Sequence, residues 1–181
     1  MKIAFFDTKP YDEASFNKVN EAFGFDIFYY KGFLNKHNVA LTQDVDAVCI
    51  FVNAVADAEV IDQLVANGVK ILALRCAGYN NVDLSAAKDR IKVVRVPAYS
   101  PHAVAEYTLA LMLTLNRKIH KAYNRTREGN FALDGLMGFD MQGKTAGIIG
   151  TGKIAKILIR ILRSMDVNVL AYDLYPDAKF A

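Results

Sequence analysis

Tryptophan is absent from the 181 residues, cysteine occurs only twice and proline four times, and neither sign of charge dominates. Each shortage excludes something. Two cysteines, Cys49 and Cys76, supply neither a disulfide framework nor a metal-ligand spacing, which fits a reducing compartment. Twenty-two basic against nineteen acidic residues leave a formal charge of +3, so nothing points to nucleic acid or to a membrane surface. The longest nearly apolar tract, Tyr107 to Leu115, falls far short of the ~18 residues needed to span a bilayer. The run after Met1 is too short for a signal peptide. These absences predict a soluble cytoplasmic protein. What is plentiful is apolar side chain, at 53% of residues, so a core is assured.

Apolar runs alternate with helix-period segments along the chain. Strands are predicted at Lys2 to Phe6, Asp26 to Tyr30, Ala47 to Val52, Lys70 to Arg75 and Lys92 to Val96. Helices are predicted from Pro10 to Phe23, from about Asp57 to Asn67, where Gly68 ends the helix, and from Leu84 to Arg90. The polar tract Lys31 to Asp44 reads as an irregular connection. Near-continuous apolar strands alternating with helices imply a parallel sheet covered on both faces. That first unit is complete by about residue 97. One long helix, Pro101 to about Tyr123, has little polar face and is expected to be buried on most sides. The basic run from Arg117 to Arg127 reads as its solvated end, and Gly129 to Lys144 as a loop.

The most informative stretch runs from Thr145 to Asp173. A short apolar strand stops at Gly150, a helix with apolar residues at helical spacing follows from Lys153, and a second strand, Asn168 to Tyr172, ends in Asp173. Gly150-Thr-Gly152-Lys153-Ile154-Ala155 between them is the G-x-G-x-x-G/A fingerprint. Its first glycine permits the tight turn, its second admits a pyrophosphate to the backbone, and its small third residue lets helix and strand pack closely. The free N–H groups at the helix start then face phosphate. Asp173 stands 173 − 155 = 18 positions past Ala155, near the ~20 expected for the acid that binds a ribose hydroxyl. The expected cofactor is NAD rather than NADP, because a 2′-phosphate would meet this carboxylate and no arginine closely follows it.

Ligands of open parallel sheets bind beyond the carboxyl ends of the strands. After the predicted fourth strand comes Arg75-Cys-Ala-Gly-Tyr-Asn-Asn-Val-Asp83, and after the fifth Pro97-Ala-Tyr-Ser-Pro101. Ala77 and Gly78 could offer backbone N–H groups to a small carboxylate, with Tyr99 adding a phenol donor. Equally, Gly78 could simply permit a turn and Asp83 cap the next helix.

These segments, with Ala103-Val-Ala-Glu106, Lys144 to Ile154 and Asp173, resemble the D-isomer-specific 2-hydroxyacid dehydrogenases, within them the NAD-dependent D-lactate branch, over essentially the whole chain. The resemblance implies a flavodoxin-like parallel-sheet substrate domain over residues 1–100. Residues 101–181 would then hold an interface helix and the first β-α-β of a Rossmann NAD-binding domain. It implies that Ala77, Gly78 and Tyr99 hold a small 2-keto or 2-hydroxy acid. Val104 would sit against the nicotinamide, Lys153 and Ile154 at the pyrophosphate, and Asp173 at the ribose. The helix from Pro101 would pair subunits in a homo-oligomer. The arginine, glutamate and histidine that do the family's chemistry have no counterpart here; His37, His102 and His120 match no catalytic motif and read as surface or helix-face residues. No catalytic residue and no metal site are therefore assigned. A dinucleotide domain has about six strands, so a chain ending after two reads as a fragment, inactive alone. A non-catalytic NAD-binding or interaction module, or a structural fragment pairing through the Pro101 helix, are the alternatives.

Overall fold

The computed structural model describes Met1–Phe180. It divides into a unit of Met1–Tyr99 and a second unit that begins at Ser100.

In the first unit, strands β1 (Lys2–Phe6), β2 (Asp26–Tyr30), β3 (Ala47–Ile50), β4 (Ile71–Leu74) and β5 (Lys92–Arg95) form one parallel sheet in the order β2-β1-β3-β4-β5. This is the flavodoxin-like order, whose switch point lies between β1 and β3. Pairing puts Phe6, Ile50, Leu74 and their even-spaced neighbours on one face, where helices α2 (Ala58–Ala66) and α3 (Leu84–Ala87) bury them. Nineteen buried residues make up this core, at roughly 1.5–3 kcal/mol for each large aliphatic or aromatic side chain removed from water. Helix α1 (Pro10–Asn20) covers the other face less completely; its Phe16 meets Phe5 edge-on at 4.7 Å.

Helix α1 ends at Asn20, three residues short of the predicted Phe23, because the chain turns through Gly24 at φ +65°. The tract 31–44 is not wholly irregular. It contains a single 3₁₀ turn, Val39–Thr42, pinned where the buried Thr42 hydroxyl donates to the Val39 carbonyl and receives the Asn67 amide. Asp57 caps α2 by accepting from the Val60 amide, and Asp83 caps α3 by accepting from Ala86. The capping reading of Asp83 is therefore the one the fold uses.

The second unit begins with α4 (Pro101–Arg117), capped by the Ser100 hydroxyl. The helix predicted to run unbroken to Tyr123 instead stops at Lys118, which adopts a left-handed conformation (φ 54°) and starts a separate α5 (Ile119–Arg127). Nor is α4 buried on most sides. Ala105 is its one fully buried residue, while Tyr107, Leu111 and Leu115 are exposed. Strands β6 (Thr145–Ile149) and β7 (Asn168–Tyr172) pair in parallel, joined by α6 (Lys153–Ser164). Ala105 of α4 and Leu158 and Leu162 of α6 pack with Val167 to form a small core. Among the described residues no helix is long and apolar enough to cross a membrane.

Candidate functional site

Two clusters stand at the carboxyl ends of strands, one in each unit. In the second unit, β6 ends at Ile149 and the chain turns at Gly150, whose φ of +89° is a conformation that side chains oppose. The Gly150 amide donates to the Tyr172 carbonyl at 2.7 Å, tying the turn to the end of β7. Gly152 has an ordinary φ of −68°, and a Cβ built there would meet no atom within 4 Å. Neither backbone strain nor protein packing requires glycine at 152, so the space in front of it is open to a ligand.

Gly152 is the N-cap of α6, and no side chain caps that end. The helix therefore presents its first N–H groups and the positive end of its dipole without an internal acceptor. Lys153 and Ile154 are exposed in the first turn and Ala155 is half-buried beside them. Asp173 closes the corner. One of its carboxylate oxygens accepts from the Thr151 amide (2.5 Å) and hydroxyl (2.8 Å), and the other from the Tyr175 amide (2.8 Å). The Tyr175 amide, then those two Thr151 donors, hold its carboxyl below the usual value, so it is anionic at neutral pH. Thr151 went unnoticed in the sequence because it fills an unspecified position of the fingerprint. Val104 lies in the first turn of α4, half-buried, its carbonyl taking the Thr108 hydroxyl.

In the first unit, Arg75 at the end of β4 is largely buried. Its guanidinium donates to the carbonyls of Phe6 and Asp7, both at 3.0 Å, and lies 4.2 Å from the Phe5 ring centroid. This pins β4 to the end of β1 across the switch point. The turn that follows carries Ala77 and Gly78, whose amides meet no acceptor among the described residues. Gly78 has no positive φ, and a Cβ there would touch nothing. Tyr99 is 61% exposed, and its phenol has no partner among the described residues. His37, His102 and His120 are all exposed.

The family model for D-isomer specific 2-hydroxyacid dehydrogenase, catalytic domain, matches residues 3–171. The chain belongs to that family. A 2-hydroxyacid dehydrogenase homolog of Haemophilus influenzae is 55% identical over 96% of this chain and 53% of its own length. The apo-structure of Escherichia coli D-lactate dehydrogenase superposes with a TM-score of 0.86 at 52% identity, over 98% of this chain and 57% of that one. An NAD-complexed D-isomer-specific 2-hydroxyacid dehydrogenase from Lactobacillus delbrueckii ssp. bulgaricus gives 0.69 at 27% identity, over 99% and 56%. The chain thus spans about half the length of the curated relatives it matches. The mixed α/β fold with its five-stranded parallel sheet is that of the family's solved members.

Proposed function

We propose that this chain supplies the substrate-carboxylate cradle and the adenosine-side NAD site of a D-lactate dehydrogenase, which reduces pyruvate with NADH. The observation that carries this is the α6 corner, where an uncapped helix start behind two open glycine positions is closed by an anionic Asp173. The amides of residues 152–155 would receive the pyrophosphate, with Lys153 and Ile154 flanking it. With three of its roughly four acceptor sites taken by Thr151 and Tyr175, Asp173 keeps one free for a ribose hydroxyl and repels a 2′-phosphate. Val104 would lie against the nicotinamide. When bound, NADH carries the hydride. The free amides of Ala77 and Gly78 hold the keto acid's carboxylate, and the Tyr99 phenol adds a donor from the side.

Nothing among the exposed histidines offers a positioned proton donor, so the chain by itself is expected to bind without turning over. The exposed apolar residues of α4 supply the surface for a homo-oligomer, and two free, buried thiols suit the cytoplasm. Calorimetric titration with NAD, NADP and oxamate tests the reading. Binding of NAD and oxamate with weaker NADP supports it; NAD alone favours a cofactor-binding module, and NADP at equal strength refutes the role of Asp173. Turnover of pyruvate at the rate of a full-length relative would refute the expected inactivity.

A further inference from the structure

We propose that Arg95 is a positioning residue for the substrate cradle, acting through the Ala77–Gly78 peptide and the segment that leads to Tyr99. The proposal rests on the assignment of that cradle to the substrate carboxylate. Arg95 ends β5 and is exposed. One of its terminal nitrogens donates to the Ala77 carbonyl at 2.8 Å and to the Pro97 carbonyl at 3.3 Å, with the Val96 carbonyl at 3.5 Å. Its guanidinium lies 5.5 Å from the Tyr79 ring centroid. No carboxylate is within ion-pair reach of it among the described residues, so its charge is spent on this loop.

The consequence follows from peptide geometry. In a trans peptide the C=O and the N–H point in opposite directions, so fixing the Ala77 oxygen against Arg95 aims the Gly78 N–H the other way. The preceding peptide is fixed in the same manner, since the Cys76 carbonyl accepts the Val96 amide at 3.2 Å and thereby orients the Ala77 N–H. Both amides that have no internal acceptor are therefore set by contacts on their carbonyl side. A cation on a carbonyl also polarises the peptide and strengthens its N–H as a donor. Through Pro97, the same nitrogen anchors the chain two residues before Tyr99. One exposed guanidinium so links both halves of the cradle.

The test is nitrogen-15 NMR on the chain, with oxamate as the probe, comparing wild type, Arg95→Gln, Arg95→Lys and the control Arg90→Gln. Arg90 lies in the same unit but pairs with Asp62 on the surface. Wild type and the control should show oxamate-dependent shifts at Ala77 and Gly78. Arg95→Gln should keep the melting temperature, lower the order parameters of both amides and weaken oxamate roughly tenfold, the value of about 1.4 kcal/mol in binding. Arg95→Lys, which retains a charged donor, should fall between. If Arg95→Gln binds oxamate as wild type does, with both amides equally ordered, the role of Arg95 is refuted while the cradle stands. If oxamate moves none of Ala77, Gly78 and Tyr99 in wild type, the cradle assignment fails and takes this proposal with it.

Discussion

Strands β3 and β6 are built from the same kind of sequence, AVCI and TAGII, yet they meet different surroundings. Every residue of β3 is buried, whereas β6 alternates exposed and half-buried, and its Ile149 is 91% exposed. The difference lies in what covers them. In the first unit β3 sits between β1 and β4 with helices on one side and α1 and Arg75 on the other. In the second unit α4 and α6 pack against one face of a two-stranded sheet, leaving Ile149, Leu170 and Tyr172 in the open. An apolar run therefore records the burial a strand is built to have, and neighbours decide how much of it is realised.

The sharpest way to break this comparison is a pair of matched substitutions. Ile50→Ala removes a fully buried side chain from the larger core and should cost about 2–5 kcal/mol. Ile149→Ala should cost under about 0.5 kcal/mol, as exposed positions do. Urea unfolding of both variants decides it. Comparable losses would mean that the outer face of β6 is covered in solution.

A smaller effect separates the two glycines of the α6 corner. Gly150→Ala should destabilise by about 1–2 kcal/mol, the strain of a side chain at positive φ. Gly152→Ala, at ordinary φ in open space, should leave stability unchanged while weakening NAD. Thermal melts with and without NAD check both halves. A stability loss at Gly152 would make that glycine structural and remove one support of the dinucleotide assignment.

How much of this was legible in the sequence depended on how local each feature is. The β-turn-α corner and its closing acid came through because glycine, helix period and spacing are all encoded within thirty residues. The five-stranded sheet came through because β3 and β4 are uninterrupted apolar runs, AVCI and ILAL, and β1, β2 and β5 carry apolar stretches between turn and helix signals. Arg95 did not, because its partners, Ala77 and Pro97, meet it only after β4 and β5 pair. The break at Lys118 was also hidden, since Leu113 to Tyr123 continues at helical spacing with no glycine or proline to interrupt it.

Acid bears on the two units through different carboxylates. Asp173 and Asp177 in the second unit and Asp46 in the first are all held below the ordinary carboxylate value. The Tyr175 amide does most for Asp173, the Lys156 ammonium for Asp177 and the Lys2 amide for Asp46. A folded-state pKa below the unfolded one contributes stability that is present above the unfolded value, near 4, and is lost as pH falls through the folded value. Lowering the pH below about 4 should therefore weaken the contacts that Asp173 and Asp177 make in the second unit and the one that Asp46 makes in the first. Asp173→Asn should lower the melting temperature of the second unit at neutral pH, and the gap from wild type should close in acid. Melting followed by amide NMR in each unit measures this, and a gap that stays constant with pH would show that the Asp173 charge contributes nothing to the fold.

The smallest expected effect is the most discriminating about α4. In the first unit the non-glycine residues at positive φ are Asp7, Asp44 and Asp89, a residue type that tolerates the left-handed region because its short side chain bonds locally. Lys118 has no such help, so glycine there should relieve strain. Lys118→Gly should stabilise the second unit by about 0.5–1 kcal/mol. Were the helix continuous through 118, as its periodicity suggests, the same substitution would place glycine in a helix interior and cost about 1 kcal/mol. The sign of one urea-unfolding difference thus chooses between a break and an unbroken rod. With it goes the direction in which Ile119 and Tyr123, both exposed, present themselves beyond α4.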